Sequence, residues 1–126
     1  MADRPKWQRG PRACWWLAAS MAAMDLCAAQ PTADELKNTE WIAAGRARFV
    51  SACAYCHGQE GTSGKSKSFK ERPGWDPAAI HDVIAEGRVR AGNVMPAWKG
   101  SIPDDDIWKL VAFIKSLTPE DHPASN

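Results

Sequence analysis

The chain has 126 residues, 16 of them basic and 15 acidic, with a formal net charge of +1. A length of this order supports one small domain. Residues 1–29 hold four of the basic and two of the acidic residues, so residues 30–126 carry 12 and 13 and a net charge of −1. That near-neutral balance argues against a nucleic-acid partner, which usually needs a clear basic face.

Residues 1–29 have the pattern of a cleaved export signal. Four basic residues precede an uncharged, largely apolar run over residues 13–24, and small residues at 27–29 suit a signal peptidase. An uncleaved membrane anchor is the alternative, but these 12 residues fall short of the roughly 20 that a spanning helix needs. Lipid anchoring at Cys27 is disfavoured by Leu26. Cleavage after Ala29 would remove Cys14 and Cys27 and would place residues 30–126 in the periplasm.

Apolar residues at helical spacing predict a first helix from about Glu35 to Ala54. Gly45 is costly inside a helix, by about 1 kcal/mol relative to alanine. Its presence is explained if another helix crosses closely there.

The predicted helix runs into Cys53-Ala54-Tyr55-Cys56-His57, which has the C-x-x-C-H spacing of a c-type haem attachment site. In that interpretation Cys53 and Cys56 bind the haem covalently and His57 ligates its iron. A redox-active dithiol would follow a strand, and a zinc site would need two more ligands. A disulfide between the two cysteines would close a strained loop.

Residues 58–75 are rich in glycine and serine and lack periodicity, which predicts a loop. Four basic residues, with only Glu60 and Glu71 against them, lie at 65–72. This segment is either a solvated loop or a surface on which a partner docks.

A second helix is predicted after Asp76, which is a preferred N-cap residue. Pro77 suits its first turn and Gly87 suits its end. A loop over 88–100 follows. Residues 101–104 resemble a capping box for a last helix that ends near Leu117. No strand is predicted.

Met95 is the predicted second iron ligand. It is the only methionine after residue 29, lies 38 residues beyond His57 in a predicted loop, and precedes Pro96, which stiffens the backbone. A thioether is an established axial ligand of haem. His81 and His122 are weaker rivals, and an open sixth position remains an alternative.

Over residues 40–117 the chain resembles a small class I cytochrome c of the bacterial periplasmic type. Gly45 and Phe49 correspond to the family's first helix, and Leu110 and Phe113 to the last helix that crosses it. Residues 95–98 resemble the methionine-ligand loop. The resemblance implies an all-α fold of three main helices around one covalent haem c, and a proline carbonyl, with Pro73 the nearest candidate, bonded to His57.

The predicted function is that of a monomeric, non-catalytic periplasmic electron carrier. It would pass single electrons from a dehydrogenase to an oxidase or peroxidase, with no membrane anchor after signal cleavage. The alternatives are a haem subunit of a dehydrogenase complex, and a haem enzyme or gas sensor with a labile sixth ligand. Two filled axial positions favour the carrier, because they leave no iron site for a substrate.

Overall fold

A computed structural model describes residues 29–62, 64–72 and 74–118 of the chain. The predicted export signal, except Ala29, lies outside these ranges, as do Pro73 and His122. The described residues form four α-helices: α1 (Thr39–Ala52), α2 (Ala54–His57), α3 (Pro77–Glu86) and α4 (Asp104–Ser116). The predicted all-α class is confirmed, with three longer helices and one of a single turn. None of the described helices is both long enough and apolar enough to cross a bilayer.

The predicted helix from Glu35 to Ala54 is divided into three pieces, so that prediction was wrong in its bounds. A 3₁₀ turn covers Glu35–Lys37, and α1 begins only after Asn38, whose backbone is extended. The Asn38 side chain accepts hydrogen bonds from the backbone N–H groups of Glu40 (2.8 Å) and Trp41 (3.1 Å). These bonds satisfy two of the free donors at the helix start, so the cap interrupts a continuous apolar pattern.

The main interface is the crossing of α1 over α4, which has the largest set of contacts between two elements. A Cβ atom at Gly45 would collide with the backbone carbonyl of Lys109, so only glycine permits this approach. The rings of Phe49 and Phe113 lie 5.2 Å apart, and Leu110 is fully buried. The predicted close packing at Gly45 is confirmed.

The second predicted helix has the expected ends. The Asp76 carboxylate accepts a bond from the N–H of Ala79 (3.0 Å), Pro77 occupies the first turn, and Gly87 follows the last residue. Ile80 and Ile84 are buried and bring α3 against α4. Local capping chemistry therefore fixes this helix.

The segment predicted as a loop over 88–100 contains a short antiparallel hairpin, which corrects the expectation of no strands. Strand β1 (Arg88–Arg90) pairs with β2 (Asn93–Met95). The two residues between them, Ala91 and Gly92, both have positive φ, at 49° and 80°. Such a pair matches the twist of a two-residue hairpin turn.

The capping box predicted at residues 101–104 is absent, because Pro103 holds the N-cap position of α4 and no side chain caps the helix. Three acidic residues fill the first turn instead, Asp104 to Asp106. Their charges are favourable beside the positive end of the helix dipole.

Candidate functional site

The two cysteines lie at the joint between α1 and α2. Cys53 separates the helices, and its carbonyl accepts backbone bonds from Cys56 (3.2 Å) and His57 (3.1 Å). Both thiols are free, so no disulfide joins them. Cys53 is half-buried against the core and Cys56 is exposed. Burial, helped by the nearby Cys56, raises the pKa of the Cys53 thiol to about 11, so the group is protonated at neutral pH.

The His57 imidazole is held between aromatic rings. It stacks on Phe69 with centroids 5.1 Å apart and planes 21° apart, and it lies 6.1 Å from Phe49. Burial, and secondly the positive charge of Arg72, lower the pKa of His57. The ring is therefore neutral at physiological pH, which is the form that binds a metal.

The Nδ1 atom of His57 is buried and has no hydrogen-bond partner among the described residues. Buried polar atoms without partners are rare, and each needs a reason. Pro73, expected to bond with this ring, lies outside the described ranges.

Phe69 is a site residue that the sequence interpretation missed. It lies in the glycine-rich segment predicted as a loop, but it begins a 3₁₀ turn (Phe69–Glu71) and is only 5% exposed. Its ring meets Phe49 edge-on at 6.0 Å. Gly61 lets the ring approach, because any side chain there would collide with it. The available signal was an aromatic residue within the otherwise polar stretch of residues 58–72.

Met95 ends strand β2 and is half-buried against the hydrophobic core. The segment around it is fixed to the end of α3. Gly87, with φ of +75°, lies so close that an added Cβ would be 2.6 Å from the Met95 carbonyl oxygen. Beyond it, the N–H of Trp98 donates to the carbonyls of Ile84 and Ala85 (3.1 and 3.2 Å). The methionine therefore lies on a braced backbone.

His81 has a structural role. Its Nε2 atom lies 2.8 Å from a carboxylate oxygen of Asp104, and its ring stacks on Trp108 with centroids 4.3 Å apart. These contacts join α3 to the start of α4. His81 therefore already has partners, which argues against it as an iron ligand.

The basic residues of the 65–72 segment are not equivalent. Lys65 lies 5.8 Å from the ring centroid of Tyr55, and Lys67 forms a loose ion pair of 3.6 Å with Glu71. Both lysines are exposed. Arg72 differs, because its guanidinium packs 5.0 Å from the Trp75 ring centroid and its Nε atom is buried.

Across the described ranges, no three histidine, cysteine, aspartate or glutamate side chains come together to hold a metal ion by themselves. The donors present are two free thiols and a half-buried imidazole on one short turn, and a thioether on another segment. An imidazole and a thioether suit the ligation of iron in a macrocycle that supplies the other four ligands, and the two thiols suit its covalent attachment. The buried rings of Phe49 and Phe69 beside His57 fit such a group as well.

Residues 40–114 match the sequence profile of a protein family described as "Cytochrome C oxidase, cbb3-type, subunit III". The chain belongs to this family. It is also 34% identical over 80 residues to the "Cbb3-type cytochrome c oxidase subunit FixPc" of Rhizobium leguminosarum bv. viciae. That match covers 59% of this chain and 27% of the relative, so the chain spans about a quarter of the relative's length.

Membership of the family identifies residues 40–114 as a mono-haem c-type cytochrome domain, which transfers electrons. The family implies a covalently bound c-type haem. The predicted resemblance to c-type cytochromes and the predicted cofactor are thereby confirmed. The division into a leader and a mature domain remains a prediction.

Proposed function

We propose that Cys53 and Cys56 attach the haem through thioether bonds, that His57 ligates the iron from one side, and that Met95 ligates it from the other. The observation that carries this proposal is the turn Cys53–His57, where two unpaired thiols and a neutral, half-buried imidazole lie together. The bound haem supplies a one-electron Fe³⁺/Fe²⁺ couple.

The protein's role is to hold the His57 and Met95 side chains in fixed positions and to exclude water from the haem site. Phe49 and Phe69 flank the His57 ring on apolar surface. The Met95 segment is fixed by backbone bonds to α3. Fixed axial donors reduce the rearrangement that accompanies a change of iron charge, and both a thioether ligand and a dry surrounding favour the reduced state.

The cellular role follows as part of the same proposal. Residues 1–29 direct export, the mature chain is a monomeric electron carrier in the periplasm, and it is not an enzyme. It accepts electrons from a dehydrogenase and delivers them to an oxidase or peroxidase through a small, transient interface.

A second role is favoured by one observation: the relative bears the name of an oxidase subunit and is much longer than this chain. In that case the domain works inside an oxidase complex and exchanges electrons with its neighbours there. Purification of the native protein from membranes and from the periplasmic fraction separates the two roles. Recovery of the haem-loaded protein alone from the periplasmic fraction supports the carrier role. Its co-purification with an oxidase supports the subunit role.

The ligand assignment is tested by spectroscopy of the exported protein. We expect haem to remain on the chain in a denaturing gel, and to be lost from a Cys53→Ala/Cys56→Ala variant. The oxidised protein should show the weak red absorption band of methionine–iron ligation. Met95→Leu should abolish this band, and the control Val94→Leu, at an exposed position, should keep it.

The same samples test the labile-ligand alternative. The native protein should bind carbon monoxide slowly or not at all, and Met95→Leu should bind it rapidly. Rapid binding by the native protein, together with a high-spin spectrum, would contradict methionine ligation and favour a sensor or enzyme.

A further inference from the structure

The hairpin of β1 and β2 carries exposed apolar side chains that lie together. Of the four large apolar side chains that the described ranges leave exposed, two belong to it, Val89 (73%) and Val94 (69%). Single exposed apolar residues are ordinary on a protein surface. These two are a directly opposed cross-strand pair, so their side chains are neighbours and form one contiguous apolar spot.

The alternation of side chains along β2 shows which way this spot faces. Val94 and Met95 are consecutive on the strand, so their side chains lie on opposite faces of the hairpin. Met95 is half-buried against the hydrophobic core. The valine pair therefore faces away from the core, and one strand presents the proposed iron ligand inward and an apolar side chain outward.

Two arginines flank the apolar spot. Arg88 and Arg90 are the chain neighbours of Val89, and both are exposed. Neither forms an ion pair with a carboxylate in the part of the chain that the structure describes, whereas the exposed Arg46 pairs with Glu60 at 2.7 Å. Arginine is enriched at protein interfaces. We call Arg88, Val89, Arg90 and Val94 the hairpin patch.

The turn of the hairpin also keeps an apolar residue at a conformational cost. Ala91 is the only residue other than glycine with a positive φ in the described ranges, at 49°, and it is exposed. Asparagine, aspartate or glycine is preferred at such a position, and alanine is uncommon there. Costly backbone conformations occur preferentially at functional sites. This observation supports a use for the outer surface of the hairpin.

The basic segment at residues 65–72 is less suited to docking. Its Lys67 already pairs with Glu71, at 3.6 Å. Its only large apolar side chain, that of Phe69, is buried. A specific interface combines an apolar centre with a polar rim. The segment offers charge without such a centre, whereas the hairpin patch offers both.

We propose that the electron-transfer partner docks on the hairpin patch, and that the partner presents carboxylates around an apolar spot. This inference rests on the proposed function, because an electron carrier needs such a partner. Electron transfer weakens steeply with distance. Since Val94 is the chain neighbour of Met95, docking here brings the partner close to the proposed iron ligand. Two apolar side chains and two charges suit the small, transient interface of a redox encounter.

The charges of the hairpin patch favour an acidic protein over two other occupants. In a symmetric dimer the same patch lies on both sides of the interface, so the arginines of one copy would face those of the other. Such like charges repel. Stable binding to a membrane surface needs more buried apolar area than two valines supply. Carboxylates of a partner protein pair with the arginines, while its apolar spot covers the valines.

The test measures oxidation of the reduced, haem-loaded protein by washed membranes, and its reduction by the periplasmic fraction, both from cells that lack its gene. Val89→Thr/Val94→Thr should raise KM about fivefold in at least one direction with kcat unchanged, because less apolar surface is buried on docking. Threonine keeps the branched shape and the strand propensity of valine. The matched control is Val50→Thr on α1, at a position that is 43% exposed, which should leave KM unchanged.

A charge reversal tests the arginines separately. Arg88→Glu/Arg90→Glu should raise KM about tenfold at low ionic strength, and the difference from the wild type should shrink as salt is added. The matched reversal in the basic segment is Lys67→Glu/Lys70→Glu, which changes two exposed lysines and should have little effect. A larger effect of the lysine reversal than of the arginine reversal would place docking on residues 65–72 and would overturn the inference.

The isolated variants show whether the hairpin patch acts through docking. Their midpoint potentials and their methionine–iron bands should equal those of the wild type. Changes in both properties in the valine and arginine variants would show that the patch acts on Met95 instead, and would overturn the inference. Unchanged KM values in both directions for both variants would overturn it as well.

Two further measurements address the other occupants. Binding of the wild type to phosphatidylglycerol vesicles, or a dimer in sedimentation, that the valine variant abolishes would assign the patch to lipid or to a second copy and would overturn the inference. The proposed function fails in a different way. A wild-type protein that neither fraction oxidises or reduces would refute the carrier role itself.

Discussion

The α1–α4 crossing and the face that carries His57 and Met95 differ in how their buried atoms are packed. At the crossing, Gly45 lies on the backbone of Lys109, and Phe49 on Phe113, so protein atoms alone fill the interface. On the other face, an imidazole nitrogen and a guanidinium nitrogen are buried without partners in the described ranges. The crossing is filled by protein atoms, whereas the second face keeps two buried polar atoms without a partner among the described residues.

Of the changes predicted here, replacement of Phe69 should lower the free energy of unfolding most, because its ring contacts residues of both regions. Phe69→Ala removes a buried ring that contacts both His57 and Phe49, and we expect a loss of about 3–5 kcal/mol in the free energy of unfolding. Urea denaturation of the haem-loaded protein measures it. Tyr55→Ala is the control, since Tyr55 is 88% exposed. Equal losses in the two variants would show that Phe69 is not a core residue.

Gly45→Ala tests the crossing by itself. Helix propensity favours alanine by about 1 kcal/mol, but the added Cβ collides with the Lys109 carbonyl. We expect a net loss of about 3 kcal/mol, near the upper end for overpacking, with the haem spectrum unchanged. Ala44→Gly, an exposed change on the same helix, gives the propensity effect alone. A more stable Gly45→Ala protein would contradict the close approach of α1 and α4.

Gly87→Ala is the matching change on the other face. Gly87 has φ of +75°, and its Cβ would press on the backbone of the Met95 segment. We expect a loss of about 2 kcal/mol, within the range for a strained backbone conformation, together with a weaker methionine band. Gly92→Ala also carries a positive φ but has open space around it, so it measures backbone strain alone. An unchanged band in Gly87→Ala would show that Met95 does not depend on this contact.

The smallest predicted effect concerns the ion pairs beside the crossing. Asp106 accepts bonds from Lys109 (2.9 Å) and from Arg48 of α1 (2.7 Å), and these bonds lower its pKa. Asp106→Asn should cost about 0.5 kcal/mol at neutral pH. Since the folded state lowers the pKa, this contribution is complete above the unfolded value and is lost as the pH falls through the folded one.

Urea midpoints at pH 6 and pH 3 therefore test the Asp106 pairs, with Asp105→Asn as the control in the same helical turn. The gap between Asp106→Asn and the wild type should narrow at pH 3. A gap that stays constant with pH would show that the pairs contribute through packing alone.

Sequence reasoning succeeded where the determinants are local or belong to a spaced motif. Helix α3 begins and ends where it was predicted, because its end signals, Asp76, Pro77 and Gly87, each act on the nearest turn. The role of Gly45 could be predicted because a glycine inside a helix is explained when another helix packs closely against it. The spacing of Cys53, Cys56 and His57 led to the cofactor that the family implies.

Other features depend on contacts that no short window contains. The hairpin has strands of three residues and an Ala91-Gly92 turn without the usual Asn-Gly signal. Phe69 is buried only because Gly61 and His57 come to it from other parts of the chain. Apolar residues lie at helical spacing both before and after Asn38, so the pattern predicts one continuous helix. Only the cap geometry shows that α1 begins after Asn38.

The bonds from Trp98 and Lys99 to the end of α3 have a consequence for how this molecule opens. Carbonyls that water would otherwise solvate at that helix terminus are satisfied by the chain just beyond Met95. If Met95 ligates iron, the coordination bond and the last turn of α3 form one cooperative unit. A fluctuation that detaches the thioether also unwinds a helix end, so ligand loss carries the free-energy cost of local unfolding.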